Sequence, residues 1–127
     1  MWISINERDR RPMYLQITNQ IKEQLRRGTL KPKDELPSVR ELAESLSINM
    51  HTVRSAYLKL RDQGIINLRL GRRARIAPLQ SSPANRDAVA GLQARIKELV
   101  TDSFLAGLSP DDLRNLINRQ LDELKQD

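Results

Sequence analysis

Two short apolar stripes with the same internal spacing, Val39-Leu42-Ala43-Leu46 and Val53-Ala56-Tyr57-Leu60, recur fourteen residues apart with only Ser47 to Thr52 between them. Spacings of three and four place each set on one face of an α-helix. The connection is too short for anything but a tight turn, so the helices must cross steeply and bury their stripes together as a helix-turn-helix. Ser38, with Glu41 three residues on, has the form of a capping box opening the first helix. Asn49 is placed to cap the second, which runs from Met50 to Gln63 and stops at Gly64.

Apolar positions at Tyr14, Ile17, Ile21 and Leu25, with Pro12 ahead and Gly28 behind, predict a further helix from Met13 to Arg27. Thr29 to Pro37 holds Pro32 and Pro37 and reads as a connector. Beyond the helix-turn-helix, Ile65–Arg69 and Ala74–Ala77 are rich in β-favouring residues. They flank Leu70-Gly71-Arg72-Arg73, a hairpin tip carrying two basic residues, which makes a wing. Trp2-Ile3-Ser4-Ile5 reads as one more short strand.

Pro78, Ser81, Ser82 and Pro83 mark a linker, giving domains at 1–78 and 87–127 joined by 79–86. In the second, Val89, Leu92, Ile96, Leu99, Ser103 and Ala106 form a helical stripe that Val100 and Phe104 widen, and Gly107 ends it. Ser109-Pro110-Asp111-Asp112 restarts a helix, with a capping serine, proline in the first turn and acids where the macrodipole favours them. Its stripe is Leu113, Leu116, Ile117, Leu121 and Leu124. An antiparallel hairpin of two helices has too little partner surface to cover both stripes. The expected dimerisation surface, on a second copy of the chain, is therefore Leu92, Ile96, Leu99, Phe104, Leu113, Ile117, Leu121 and Leu124. The fold class is mainly α with a small β wing: a winged helix-turn-helix followed by a two-helix dimerisation hairpin.

Charge separates the same two parts. Residues through Leu79 carry a net charge of +8 and the remainder −2, within a total of +6. A nucleic-acid-binding module joined to an interaction module has this asymmetry, because neutralising phosphate requires Lys and Arg on one part only. A solvated basic surface without a partner has it too. At 39% hydrophobic and 30% charged, the composition is that of a globular chain with a modest core. No apolar run approaches the ~18 residues of a membrane span, and MWISINERDRRP lacks the apolar core of a secretory signal. A cytoplasmic location is expected. With no Cys there is no disulfide scaffold or thiolate metal site.

Catalysis fails for want of parts. Ser55 lies four residues from His51, the one histidine, but no Asp is placed to orient that imidazole. No P-loop or GxGxxG follows a strand, Asp111-Asp112 is explained by capping, and no metal or cofactor is expected.

The stretch LPSVRELAESLSINMHTVRSAYLKLRDQGIINLRLGRR resembles the DNA-binding domain of GntR-family bacterial transcriptional regulators, in the order and spacing of Leu36-Pro37-Ser38, Arg40-Glu41-Leu42-Ala43, Thr52-Val53-Arg54, Ala56-Tyr57, Leu60, Gly64, Ile66 and Gly71. With Pro12–Ile17 and Gly28–Pro32, the resemblance covers about residues 1 to 78. The short helical tail resembles the YtrA-like subfamily. Departures are Met50 for a basic residue, Ser47 and Lys33 where glycine is common, and the wing sequence Gly71-Arg72-Arg73-Ala74-Arg75-Ile76.

The resemblance implies a homodimeric regulator, a repressor, that reads a pseudo-palindromic operator in double-stranded DNA with its second motif helix in the major groove. Arg40 would reach a guanine edge or a phosphate; its other reading is an ion pair with Glu44. His51, Thr52 and Arg54 would be the readers near the helix start, or His51 an idle surface residue. Ser38 would hold a phosphate or act only as a cap. Gly71, Arg72 and Arg73 would enter a minor groove or grip its phosphates, or form a solvated hairpin. Leu58, also on the outward face, has a contact with the tail as one reading. A small-molecule effector is compatible with the family, and no membrane partner is expected. The alternative class is a winged-helix adaptor that binds another protein, against which stand the clustered arginines and a total of four aromatic residues.

Overall fold

Helix α1 spans Met13–Arg27 as its periodicity requires, and ends where Gly28 takes a left-handed φ of 79°. The computed structural model that shows this describes residues 3–69, 71–78 and 86–125, in two compact units, Met1–Leu79 and Gln80–Asp127. Helix α2 is Val39–Leu46, opened by the Ser38 hydroxyl, which accepts from the Glu41 N–H at 3.1 Å. The reciprocal half of the expected capping box is not made, because the Glu41 carboxylate is taken by Arg73. Helix α3, Met50–Asp62, begins at Asn49, whose side chain accepts from the His51 N–H at 2.7 Å. It ends one residue short of expectation, with Gln63 as its cap and Gly64 left-handed.

α3 packs on both α1 and α2. Ile17, Ile21, Leu42, Ala43, Val53, Ala56 and Leu60 close the core, joined by Leu36, Ile66 and Ile76. Tyr57 is buried there and donates its hydroxyl to the Pro37 carbonyl at 2.6 Å, which ties α3 to the entrance of α2. Burial, with the nearby Glu41 carboxylate, pushes its phenol well above the ordinary tyrosine value.

The wing strands are shorter than their composition suggests: β1 is Ile66–Asn67 and β2 is Arg75–Ile76, antiparallel with Ile66 opposite Ile76. The connector completes the sheet on the other edge of β2. Lys33 donates to the Ile76 carbonyl, Ile76 to Asp34, and Leu36 to Ala74, all at 2.9 Å, and Glu35 bridges Arg75. Lys-Asp-Glu at an exposed edge carries none of the apolar alternation that marks a strand, so the sequence concealed it.

The expected strand at residues 2–5 is not one; Trp2 lies outside the described residues, and residues 3–6 have no regular assignment. They run over α1, with Ile3 in the core. The side-chain amides of Gln20 and Gln16 act as their partner strand. Ser4 donates to Gln20 at 2.9 Å and accepts from it at 2.6 Å, while Asn6 does the same with Gln16 at 2.9 and 3.2 Å. Two residues of extended chain advance about 6.6 Å and one helical turn of four residues about 6 Å, so the two repeats match.

In the second unit α4 is Arg86–Leu105 and α5 is Pro110–Lys125, joined through Gly107 at φ 87°. Arg86, expected in the linker, belongs to α4, and residues 79–85 lie outside the described chain. Ser109 and Asp112 cap α5 reciprocally: the Asp112 N–H donates to the Ser109 hydroxyl at 3.1 Å, and the Ser109 N–H to the Asp112 carboxylate at 3.0 Å. Both apolar stripes stand open. Among the described side chains of this unit only Ser103 is buried and only Leu113 is half-buried. No helix among the described residues is long and apolar enough to cross a membrane.

Candidate nucleic-acid interface

Burying Val53, Ala56, Tyr57 and Leu60 turns the opposite side of α3 to solvent. His51, Arg54 and Ser55 are exposed, and Thr52 is half-buried. A groove of about 520 Å³ runs along one side of this crest, where Met50, His51 and Arg54 face Leu68, Arg69 and Gly71 of the wing. On the other side a shallower hollow of about 350 Å³ separates His51, Thr52 and Ser55 from Pro12, Met13 and Tyr14. His51 lines both, so it stands at the summit of the ridge. Leu58 is half-buried and, with Leu68, floors the wing-side groove, which accounts for its place on the outward face within this unit.

The arginines divide into committed and uncommitted groups. Arg75 pairs with Glu35 at 2.6 Å and also donates to the Lys33 carbonyl. Arg73, expected free at the wing tip, instead forms a two-pronged pair with Glu41 at 2.6 and 3.0 Å. The pair fastens the wing to the first turn of α2, and because both side chains are about half exposed its stabilisation is at most about 1 kcal/mol. Arg40, Arg54, Arg69 and Arg72 are exposed, and their side chains have no partner among the described residues. Arg40 occupies the second position of α2, in its first turn, and does not pair with Glu44. Four guanidiniums in water, on α2, α3 and the wing, leave their fork geometry available to phosphates or guanine edges.

The remaining expected residues serve the backbone. Ser38 is engaged as a cap. Gly71 is exposed, with φ 74° and open space where a Cβ would stand, so its glycine is required by conformation and not by crowding. Ser47 and Lys33, which depart from the glycines of the resembled family, are the two non-glycine residues with positive φ among those described, at 55° and 75°. Sequence reasoning missed Arg69, which adjoins the hairpin tip and was assigned to a strand. It also missed Met50 as a wall of the wing-side groove. No group of three or more His, Cys, Asp or Glu side chains among the described residues is disposed to hold a metal ion.

Comparison with known proteins agrees with this geometry. Residues 13–76 match the GntR family, described as bacterial regulatory proteins. The chain is 36% identical over 115 residues to the HTH-type transcriptional repressor YtrA of Bacillus subtilis, covering 91% of this chain and 88% of that one. Among solved structures, a transcriptional antiterminator from Listeria monocytogenes EGD-e superposes with a TM-score of 0.85 at 28% identity, over 94% of this chain and 90% of that one. The DNA-binding domain of AraR in complex with operator ORE1 superposes with a TM-score of 0.51 at 25% identity, over 57% of this chain and 89% of that one.

Proposed function

Because this chain belongs to the GntR family of bacterial regulatory proteins, we propose that it is a homodimeric repressor that reads a pseudo-palindromic operator. Transcriptional regulation through DNA, without catalysis, comes with the family. The observation that carries the finer reading is the set of exposed guanidiniums on Arg40, Arg54, Arg69 and Arg72, which have no side-chain partner among the described residues, two of them lining the groove beside the α3 crest.

The first turns of α3 enter the major groove, where His51, Thr52 and Arg54 meet base edges. Arg40 and the cap at Ser38 hold the adjacent backbone, and Gly71 lets the wing bring Arg72 against a minor groove or its phosphates. Arg73 acts through Glu41, as the anchor of the wing. Operator recognition by the AraR domain supports DNA as the partner.

A second copy of the chain covers the open stripes of α4 and α5, through Leu92, Ile96, Leu99, Phe104, Leu113, Ile117, Leu121 and Leu124. Two-fold symmetry of that dimer then dictates a pseudo-palindromic site. Repeated selection of bound duplexes from a random pool, at near-physiological salt, tests the reading with wild type and Arg54→Ala side by side. An enriched pseudo-palindrome that the variant loses is the expected outcome. Absence of any enriched motif with the wild type refutes it.

A further inference from the structure

The hollow on the far side of the α3 crest is walled by Pro12, Met13 and Tyr14, and the chain leading into that wall is an ordered, basic loop of residues 6–11. Asn6 and Asp9 each turn it with their own side chains. The Arg8 N–H donates to Asn6 Oδ1 at 3.0 Å, the Arg11 N–H to Asp9 Oδ1 at 2.9 Å, and the Asp9 N–H to the Asn6 carbonyl at 3.1 Å. Such Asx turns set a loop without help from a core. Gln16 clamps the Asn6 backbone onto α1, and Ile3 roots the segment in the core.

Within this loop Arg11 is spent on Asp9, at 2.6 Å, and its guanidinium holds that carboxyl down at about 2. Glu7 lines a different hollow, beside Ser45–Ile48 at the turn between α2 and α3. Arg8 and Arg10 are exposed, and their side chains have no partner among the described residues. Both guanidiniums therefore stand in solvent on a loop held by its own hydrogen bonds. Across the crest, Arg69 and Arg72 hold the same condition on the wing.

A major groove is about 12 Å wide and bounded by a phosphate backbone on each side. A helix lying in it with the wing on one flank leaves the opposite backbone to whatever occupies the other flank. We propose that the loop of residues 6–11 is a second backbone clamp, with Arg8 and Arg10 binding DNA phosphates on the side of α3 away from the wing. The inference rests on the DNA-binding reading above and adds a contact site outside the helix-turn-helix and wing. Phosphate contacts position a protein and carry no sequence information, so the loop raises affinity for every duplex alike.

The test is fluorescence anisotropy between 50 and 200 mM salt, on the selected operator duplex and a shuffled duplex of equal length, with the full chain. The proteins are wild type, Arg8→Ala with Arg10→Ala, and the same two positions as Lys. At about 0.9 in the log–log salt slope per phosphate neutralised, the alanine pair flattens the slope by about 1.8 per bound subunit. Its affinity loss across that salt range is then about tenfold smaller than that of wild type for each bound subunit. The operator-to-shuffled ratio stays unchanged, the lysine pair restores the slope, and the thermal midpoint is that of wild type. An unchanged slope, or a loss confined to the operator, overturns the clamp while leaving the regulator reading intact. Wild type that binds neither duplex overturns that reading, and the clamp with it.

Discussion

Leu42, Val53 and Leu60 in the first unit are wholly buried, whereas Ile96, Leu99, Leu121 and Leu124, on stripes of the same helical spacing, remain 46–56% exposed. Helical periodicity therefore tells which face of a helix is to be covered, and says nothing of what covers it. In the first unit α1, α2 and a small sheet meet around α3, so each stripe finds a partner within the unit. In the second unit two helices share a turn, and most of their apolar faces are exposed. Covering one Leu or Ile fully is worth about 1.5–3 kcal/mol, so any surface that covers these stripes gains substantially from doing so.

The sharpest way to break this contrast is a cavity on each side of it. Leu60→Ala should cost about 2–5 kcal/mol in denaturant melts of the first unit, since the hole cannot collapse among packed neighbours. Leu99→Ala should change little in the dilute monomer, where that side chain is half in water already. If the second unit owes its burial to another copy, Ile96→Asp with Leu121→Asp yields monomers by light scattering. The first unit's melting is preserved and operator affinity falls. A variant that stays dimeric moves the interface elsewhere.

Charged side chains carry the contrast to the DNA face. Arg54→Ala should lose about 1–3 kcal/mol on the operator and relax its specificity, whereas Arg72→Ala should weaken all duplexes similarly and reduce the salt slope by about 1. Arg73→Ala acts differently from both, because it releases the wing from Glu41. Its signature is greater wing mobility in amide exchange.

Backbone strain predicts a gain. Ser47→Gly and Lys33→Gly should each raise stability or leave it level, by up to about 1 kcal/mol, as relief of a left-handed residue outweighs the freedom added to the unfolded chain. Their thermal midpoints check this.

The smallest effect is at α5. Accepting from the Ser109 N–H and, next, from its hydroxyl holds the Asp112 carboxyl below its ordinary value. A depressed folded value means that the capping contribution is complete above about pH 4 and fades as pH falls through that lowered value. Helix content by circular dichroism should drop slightly on acidification in wild type, and the drop should be smaller in Asp112→Asn.

Much of the candidate interface could be read from local sequence. The exposure of His51, Arg54 and Ser55 follows from the position of Val53 and Tyr57 on the same helix, since one turn relates them all. The fate of Arg73 could not be read that way. It depends on Glu41, 32 residues earlier, arriving beside the hairpin. Nor did Gln16 and Gln20 announce themselves as partners for residues 4 and 6, because an amide on a helix surface has the same sequence signature whether it faces water or a strand.

Taken alone, the sequence determined most of the helix boundaries to within a residue or so. Ser38, Asn49 and Ser109 open α2, α3 and α5, while left-handed Gly28, Gly64 and Gly107 follow the ends of α1, α3 and α4, and each depends on hydrogen bonds within a few residues. Tertiary structure decided which charges are spent and which stay free, that the Lys33–Leu36 connector completes a sheet, and that residues 3–6 lie on α1 without becoming a strand. Local bonds are set by spacing along the chain, while ion pairs and sheet edges are chosen among groups distant in sequence that only the packed core brings within reach.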